Sequence, residues 1–227
     1  MNNSAAQSTQ DDPISVGLRG FGPLGIVAIL VIFAGQLLAP LSAVLVLIWA
    51  WRSRTPWHEI GYVRPRSWFG GLAIGIALGI VFKLLMKAVV MPLLGAESAN
   101  QTYHYLVGNS AAFIATVPVM VITAGFGEET FFRGYLFERF GKLIGYSPGA
   151  KALTVLFSSA VFASLHYFDQ GLAGAQQASI TGLVFGTIFA LTGRLWTLMC
   201  AHAAFDLTAI TIIYGGLESS VAHAVFK

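Results

Sequence analysis

Charge is scarce in this chain. Only 10% of its 227 residues are Asp, Glu, Lys or Arg, against about a quarter in soluble domains, and that excludes an ordinary water-exposed globular surface. Cysteine is nearly absent as well. Cys200 stands alone in an apolar run, so no intrachain disulfide can form and the residue reads as a small packing hydrophobe. The H-E-x-x-H spacing of a helical zinc site does not occur, nor does any internal repeat, low-complexity tract or second domain. The first residues lack the basic start and short apolar core of a cleavable signal peptide. Residues 1–20, rich in Asn, Gln, Ser and Asp, are expected to form a disordered tail ahead of a transmembrane domain at 21–227.

What the chain has in abundance is apolar surface. A hydrophobic share of 56% and a mean hydropathy of +0.73 define a polytopic, all-α integral membrane protein. The basic excess, +3 at pH 7, sits in short segments beside apolar runs and reads as a topology signal, with no nucleic-acid partner implied. Crossing the hydrocarbon core takes about 20 apolar residues. Six stretches meet that need approximately: Pro23 to Trp51, Phe69 to Leu94, Ala111 to Phe140, Ala152 to Phe168, Ala175 to Leu191 and Leu195 to Tyr214. Pro40 is expected to kink the first and Pro118 the third. Arg52, Arg54, Arg64 and Arg66 place the first loop in the cytoplasm, and Arg139, Lys142, Lys151 and Arg194 continue the alternation. Trp49, Trp51, Trp57, Trp68 and Trp196 fall at the same boundaries, as an aromatic belt requires.

Three polar constellations interrupt the apolar runs: Glu128-Glu129-x-x-x-Arg133, Phe162-x-x-x-His166 and His202-x-x-x-Asp206. Ionisable groups are costly in a bilayer and mark function there. On an α-helix the rise of about 1.5 Å per residue puts Glu128, His166 and His202 at similar depths, each roughly 12 to 20 Å from the basic cytoplasmic ends. One polar cavity inside the bundle, reached from the cytoplasm, satisfies all three. Glu129 and Arg133 have the spacing of an i,i+4 ion pair, with Glu128 rotated by about 100° to face elsewhere. A purely structural ion pair explains Glu129 but leaves Glu128 without a role; a desolvated carboxylate near a guanidinium suits activation of water.

Together these motifs, in this order, resemble the CPBP family of intramembrane proteases, which includes the type II CAAX prenyl endopeptidases and bacteriocin-processing or immunity proteins. The resemblance spans about Ala111 to Tyr214. It implies an endopeptidase acting on a membrane-associated polypeptide in the bilayer, with Glu128 and His166 activating water, Glu129 and Arg133 supporting Glu128, and His202 and Asp206 at the oxyanion. The best described prenyl endopeptidases carry asparagine where this chain has Asp206. An ionised aspartate cannot donate to an oxyanion, which moves that role to His202 and leaves Asp206 to orient its ring.

Other chemistries stay open on the residues alone. Glu128, His166 and His202 form a two-His, one-carboxylate set that could hold zinc, although the protease reading needs no cofactor. A non-catalytic immunity or scaffold protein and a proton-coupled transporter are the rival functions, the latter disfavoured by the missing inverted repeat. Lys83 and Lys87 are expected to snorkel to the headgroups, and Glu138 and Arg139 to be solvated at a boundary. The segment Trp57 to Tyr62 reads as an interfacial anchor or as a lip for substrate access.

Overall fold

The computed structural model describes residues 12–38 and 40–226, and all regular structure among them is helical. The disordered tail expected from the sequence falls partly on residues 1–11, which lie outside the described residues; Pro13–Arg19 is helix rather than tail. The chain divides into two compact units, Met1–Pro56 and Trp57–Lys227.

In the first unit, α1 (Pro13–Arg19) starts at Asp12, whose carboxylate accepts the Ser15 N–H at 2.9 Å, with proline in the first turn where its missing N–H costs nothing. α2 (Pro23–Ala34) follows, and then a 3₁₀ turn over Gly35–Leu38 and α3 (Leu41–Ser53). The single span expected from Pro23 to Trp51 is therefore broken around Pro40 rather than kinked. Gln36 Nε2 donates to Ser42 Oγ at 2.6 Å across the break. At 13 residues, α3 is about 20 Å long and too short to cross a bilayer alone. Trp49 is buried, its Nε1–H donating to the Leu18 carbonyl at 3.0 Å, so it is a packing residue rather than part of a lipid-facing belt.

The second unit contains four helices of membrane-crossing length and apolarity: α4 (Trp68–Leu93), α5 (Ser110–Ile144), α6 (Pro148–Thr192) and α7 (Trp196–Tyr214), with a short α8 (Glu218–Ala222) at the end. Counting the bent pair Pro13–Arg19 and Pro23–Leu38 as one further span gives five. The six separate spans drawn from the sequence are not reproduced as such. Two of them form α6, which carries a non-helical residue, Gly171, at φ 63° and ψ −157°. Only glycine reaches that conformation without strain. The arms fold back antiparallel there, since a Cβ on Gly182 would lie 2.9 Å from the Ser159 Cβ and Lys151 Nζ donates to the Ala190 carbonyl at 3.2 Å. Side-chain caps at Ser67, Asn109 and Ser147 start α4, α5 and α6, and Gly193 at φ 62° ends α6.

α4 and α7 run parallel at backbone distance because α4 presents Gly71, Gly75 and Gly79 to its partner at four-residue intervals. A Cβ on Gly75 would lie 2.5 Å from the Cys200 Cβ, and one on Gly79 2.8 Å from the Ala204 Cβ. Helices in lipid gain little by hiding apolar surface from water, so close van der Waals contact along such a stripe holds them together. Phe82, Met86, Phe185, Phe189, Leu198 and Phe205 fill the core around it.

α5 departs from the expected α-helix. It is α-helical over Ser110–Met120, π-helical over Val121–Tyr135 and α-helical again over Leu136–Ile144. The widening begins just beyond Pro118, which lacks an N–H and crowds the carbonyl four residues earlier. Hydrogen bonds that reach five residues back place more residues in each turn, so Glu128 and Glu129 diverge by less than the expected ~100°.

Gly79→Leu should overpack the α4–α7 contact and lower stability by about 1–3 kcal/mol. Gly149→Ala, at a position with open space around it, should leave stability unchanged or slightly higher. Thermal unfolding of the detergent-solubilised variants measures both.

Candidate active site

Glycine again sets the approach of the motif helix to its partner. Gly125 of α5 lies where a Cβ would sit 3.0 Å from the Ala203 Cβ and 2.9 Å from the Met199 carbonyl of α7. That proximity brings Glu128 and Glu129 against His202. His202 Nδ1–H donates to Glu129 Oε1 at 2.7 Å, and the same oxygen lies 2.9 Å from Arg133 Nη1. All three side chains are 4% exposed or less. Glu128, the adjacent carboxylate, is 22% exposed and lies 3.5 Å from the other ring nitrogen, His202 Nε2.

The two glutamates are thus divided between buried and accessible positions. Glu129 is committed to an ion network joining α5 to α7. Glu128 stays partly exposed.

Arg133 is also packed among aromatic rings. Its guanidinium carbon lies 4.9 Å from the Phe162 ring centre, 5.7 Å from Phe185 and 6.0 Å from Phe132, within the range of cation–π attraction. Nη2 has no hydrogen-bond partner among the described residues. Phe162 also contacts both histidines, its centroid 4.3 Å from His166 and 5.9 Å from His202. The phenylalanine of the Phe-x-x-x-His motif is therefore the shared wall of the site. Sequence reasoning assigned it no task, and it missed Phe185 altogether: nothing in a chain with 17 phenylalanines distinguishes that one.

His166 Nδ1–H donates to the Phe162 carbonyl at 2.9 Å, which leaves the Nε2 lone pair available. His166 and Asp206 are both within electrostatic reach of Glu128. Asp206, however, makes no hydrogen bond to His202; the ring is oriented by Glu129 instead. The expectation that Asp206 fixes that ring is corrected accordingly, because Glu129 sits directly on Nδ1. Among the described residues no group of three His, Cys, Asp or Glu side chains is arranged to hold a metal ion.

The surroundings hold further corrections. Glu138 and Arg139 are 2% and 4% exposed rather than solvated, paired with each other, while Lys142 lies 2.6 Å from Glu138 and 3.2 Å from Glu59. The segment 57–62 is more than a surface anchor. Trp57 is exposed, but Ile60 is fully buried, Tyr62 Oη bonds Thr130 Oγ1 at 2.7 Å, and the Gly61 carbonyl accepts the Leu195 N–H at 3.0 Å. It joins the motif helix to the start of α7.

On the opposite side Tyr103, in the loop before α5, packs on Leu106, Ile210 and Ile213. Burial first, then the negative charges of Asp206 and Glu128, push its phenol up to about 12.

Glu129→Gln should remove the charge that Arg133 and His202 share and leave a buried guanidinium unpaired, costing about 3–5 kcal/mol. Thermal unfolding in detergent checks it; an unfolding temperature equal to that of the unaltered protein would contradict the network.

None of the curated proteins and none of the solved structures gives a match to this chain. A family model does, over residues 110–208: Rce1-like, type II CAAX prenyl endopeptidase. The matched segment contains α5, α6 and the first two-thirds of α7, and with them every residue of the three motifs. Residues 110–208 thus form an Rce1-like type II CAAX prenyl endopeptidase domain, consistent with the CPBP/CAAX protease family.

Proposed function

We propose that this protein is an intramembrane endopeptidase that cleaves a membrane-associated polypeptide with water activated by Glu128 and His166. The observation that carries the reading is the division of labour between adjacent glutamates. Glu129 is spent on Arg133 and His202 at 2.9 and 2.7 Å, and Glu128 stands partly open beside the same histidine.

In this mechanism a water lies between the Glu128 carboxylate and His166 Nε2. Glu128 accepts one of its protons as the oxygen attacks the scissile carbonyl carbon, and the carbonyl electrons move onto oxygen. His202, flanked by two carboxylates, carries protons on both nitrogens. Nδ1–H stays with Glu129, and Nε2–H faces the developing oxyanion. When the tetrahedral intermediate collapses, the C–N bond breaks and the proton held by Glu128 passes to the departing amine. Water's hydroxyl has then become part of the new carboxyl group and its proton part of the new amino terminus.

Charge and packing support access from the cytoplasmic side. Arg64, Arg66, Arg139, Lys142, Lys151 and Arg194 mark one side as cytoplasmic. On the other, Tyr103 and the buried Leu106 cover the bundle, and Glu218 of α8 holds the Asn100 N–H at 2.8 Å. A substrate in the plasma membrane would reach Glu128 from the cytoplasmic side.

Glu128→Gln and His166→Ala should each lower turnover by about 10²–10⁴-fold, the range for loss of a general acid or base, while the protein still inserts and folds. Comparing membrane peptides from cells that express the unaltered protein or Glu128→Gln at matched levels provides the readout. New termini seen only with the active protein support the reading and name the substrate; identical termini with both would overturn it.

A further inference from the structure

Lys83 is a buried cation to which that mechanism gives no role. It is 7% exposed in α4, although a lysine at this point of a span was expected to reach the headgroups. Its Nζ donates to Gln177 Oε1 of α6 at 2.8 Å and lies 4.6 Å over the Phe205 ring of α7. An amide oxygen and a ring face soften the burial of an ammonium, but a full opposite charge is what compensates one in a bilayer.

Three charges face Lys83: Asp206, Glu218 and the like charge of Lys87. Glu218 is already engaged, with Lys87 Nζ 3.1 Å from Oε1 and the Asn100 N–H donating to the same oxygen. Asp206 has no hydrogen bond or ion pair among the described residues, and it follows Phe205 directly in α7. The helix register places the two at the same level of the α4–α7 contact. Gly79 abuts Ala204 and Phe205, so one turn further along α4, Lys83 stands level with the residues just after Phe205.

We propose that Lys83 is the counter-charge of Asp206, a positioning residue that balances the acidic site from outside it. The site holds three carboxylates, Glu128, Glu129 and Asp206. Arg133 and a protonated His202 offset two of them, and Lys83 offsets the third. Without it, the third carboxylate adds an uncompensated negative charge beside the glutamate that must accept a proton. The effect on cleavage rests on the protease reading above; the charge pairing itself does not.

The test uses the full chain in detergent and in cells, as unaltered protein, Lys83→Met, Asp206→Asn and the double variant. Lys83→Met is expected to lower the unfolding temperature and to reduce cleavage by about tenfold, and the double variant should be non-additive with the single ones, as for groups that share one charge network. Adding Asp206→Asn should recover most of the temperature shift and part of the cleavage, because it removes the charge left unpaired. Should Lys83→Met fail to accumulate, accumulation of the double variant is the supporting result. A double variant no better than Lys83→Met in unfolding or accumulation, or a Lys83→Met protein indistinguishable from the unaltered one, overturns the pairing. Rescue of unfolding temperature with no cleavage by any form supports the pairing and removes the protease reading.

Discussion

A single buried carboxylate oxygen organises this molecule. Glu129 Oε1 accepts from His202 and meets Arg133, and each of those partners is in turn packed against aromatic rings that come from α6. Charges in a low-dielectric interior attract strongly but are expensive to desolvate, so such a cluster persists only where geometry lets every member serve another. Here Glu129 joins α5 to α7 while the Phe162 and Phe185 rings bring both arms of α6 against the guanidinium and His202. Three elements distant in sequence therefore depend on one acid for their mutual register.

On the proposed mechanism, the same economy accounts for the presence of two adjacent glutamates. One carboxylate cannot both stabilise a buried guanidinium and exchange protons with water, because each proton taken up would dissolve its ion pair. Separating the tasks lets the structural charge remain fixed while its neighbour titrates. The π-helical stretch narrows the angle between the two side chains, and wide turns of this kind recur at functional sites.

Glycine supplies the approach on which the site rests. Gly75 and Gly79 bring α4 onto α7, Gly125 brings α5 onto α7, and Gly171 turns α6 back on itself. In each case a side chain would either occupy the space of the neighbouring backbone or demand a backbone conformation closed to it. These contacts hold His202 within reach of Glu128 and Glu129, so packing between helix backbones sets the geometry of the site.

The sequence by itself determined the class of the protein and singled out the candidates for its site. Apolar runs of bilayer length reveal membrane helices because an unpaired backbone cannot exist in lipid, and ionisable residues within them are too costly to be incidental. Glu128, Glu129, Arg133, His166, His202 and Asp206 were legible as candidates for that reason. Only the tertiary structure decided how they are partnered. Which acid orients His202, the aromatic cage of Arg133 and the burial of Lys83, Glu138 and Arg139 all depend on contacts between helices far apart in the chain, and periodicity within one helix carries no information about its neighbour. The broken first span and the hairpin at Gly171 were likewise hidden, because hydropathy measures how apolar a segment is and not where its backbone turns.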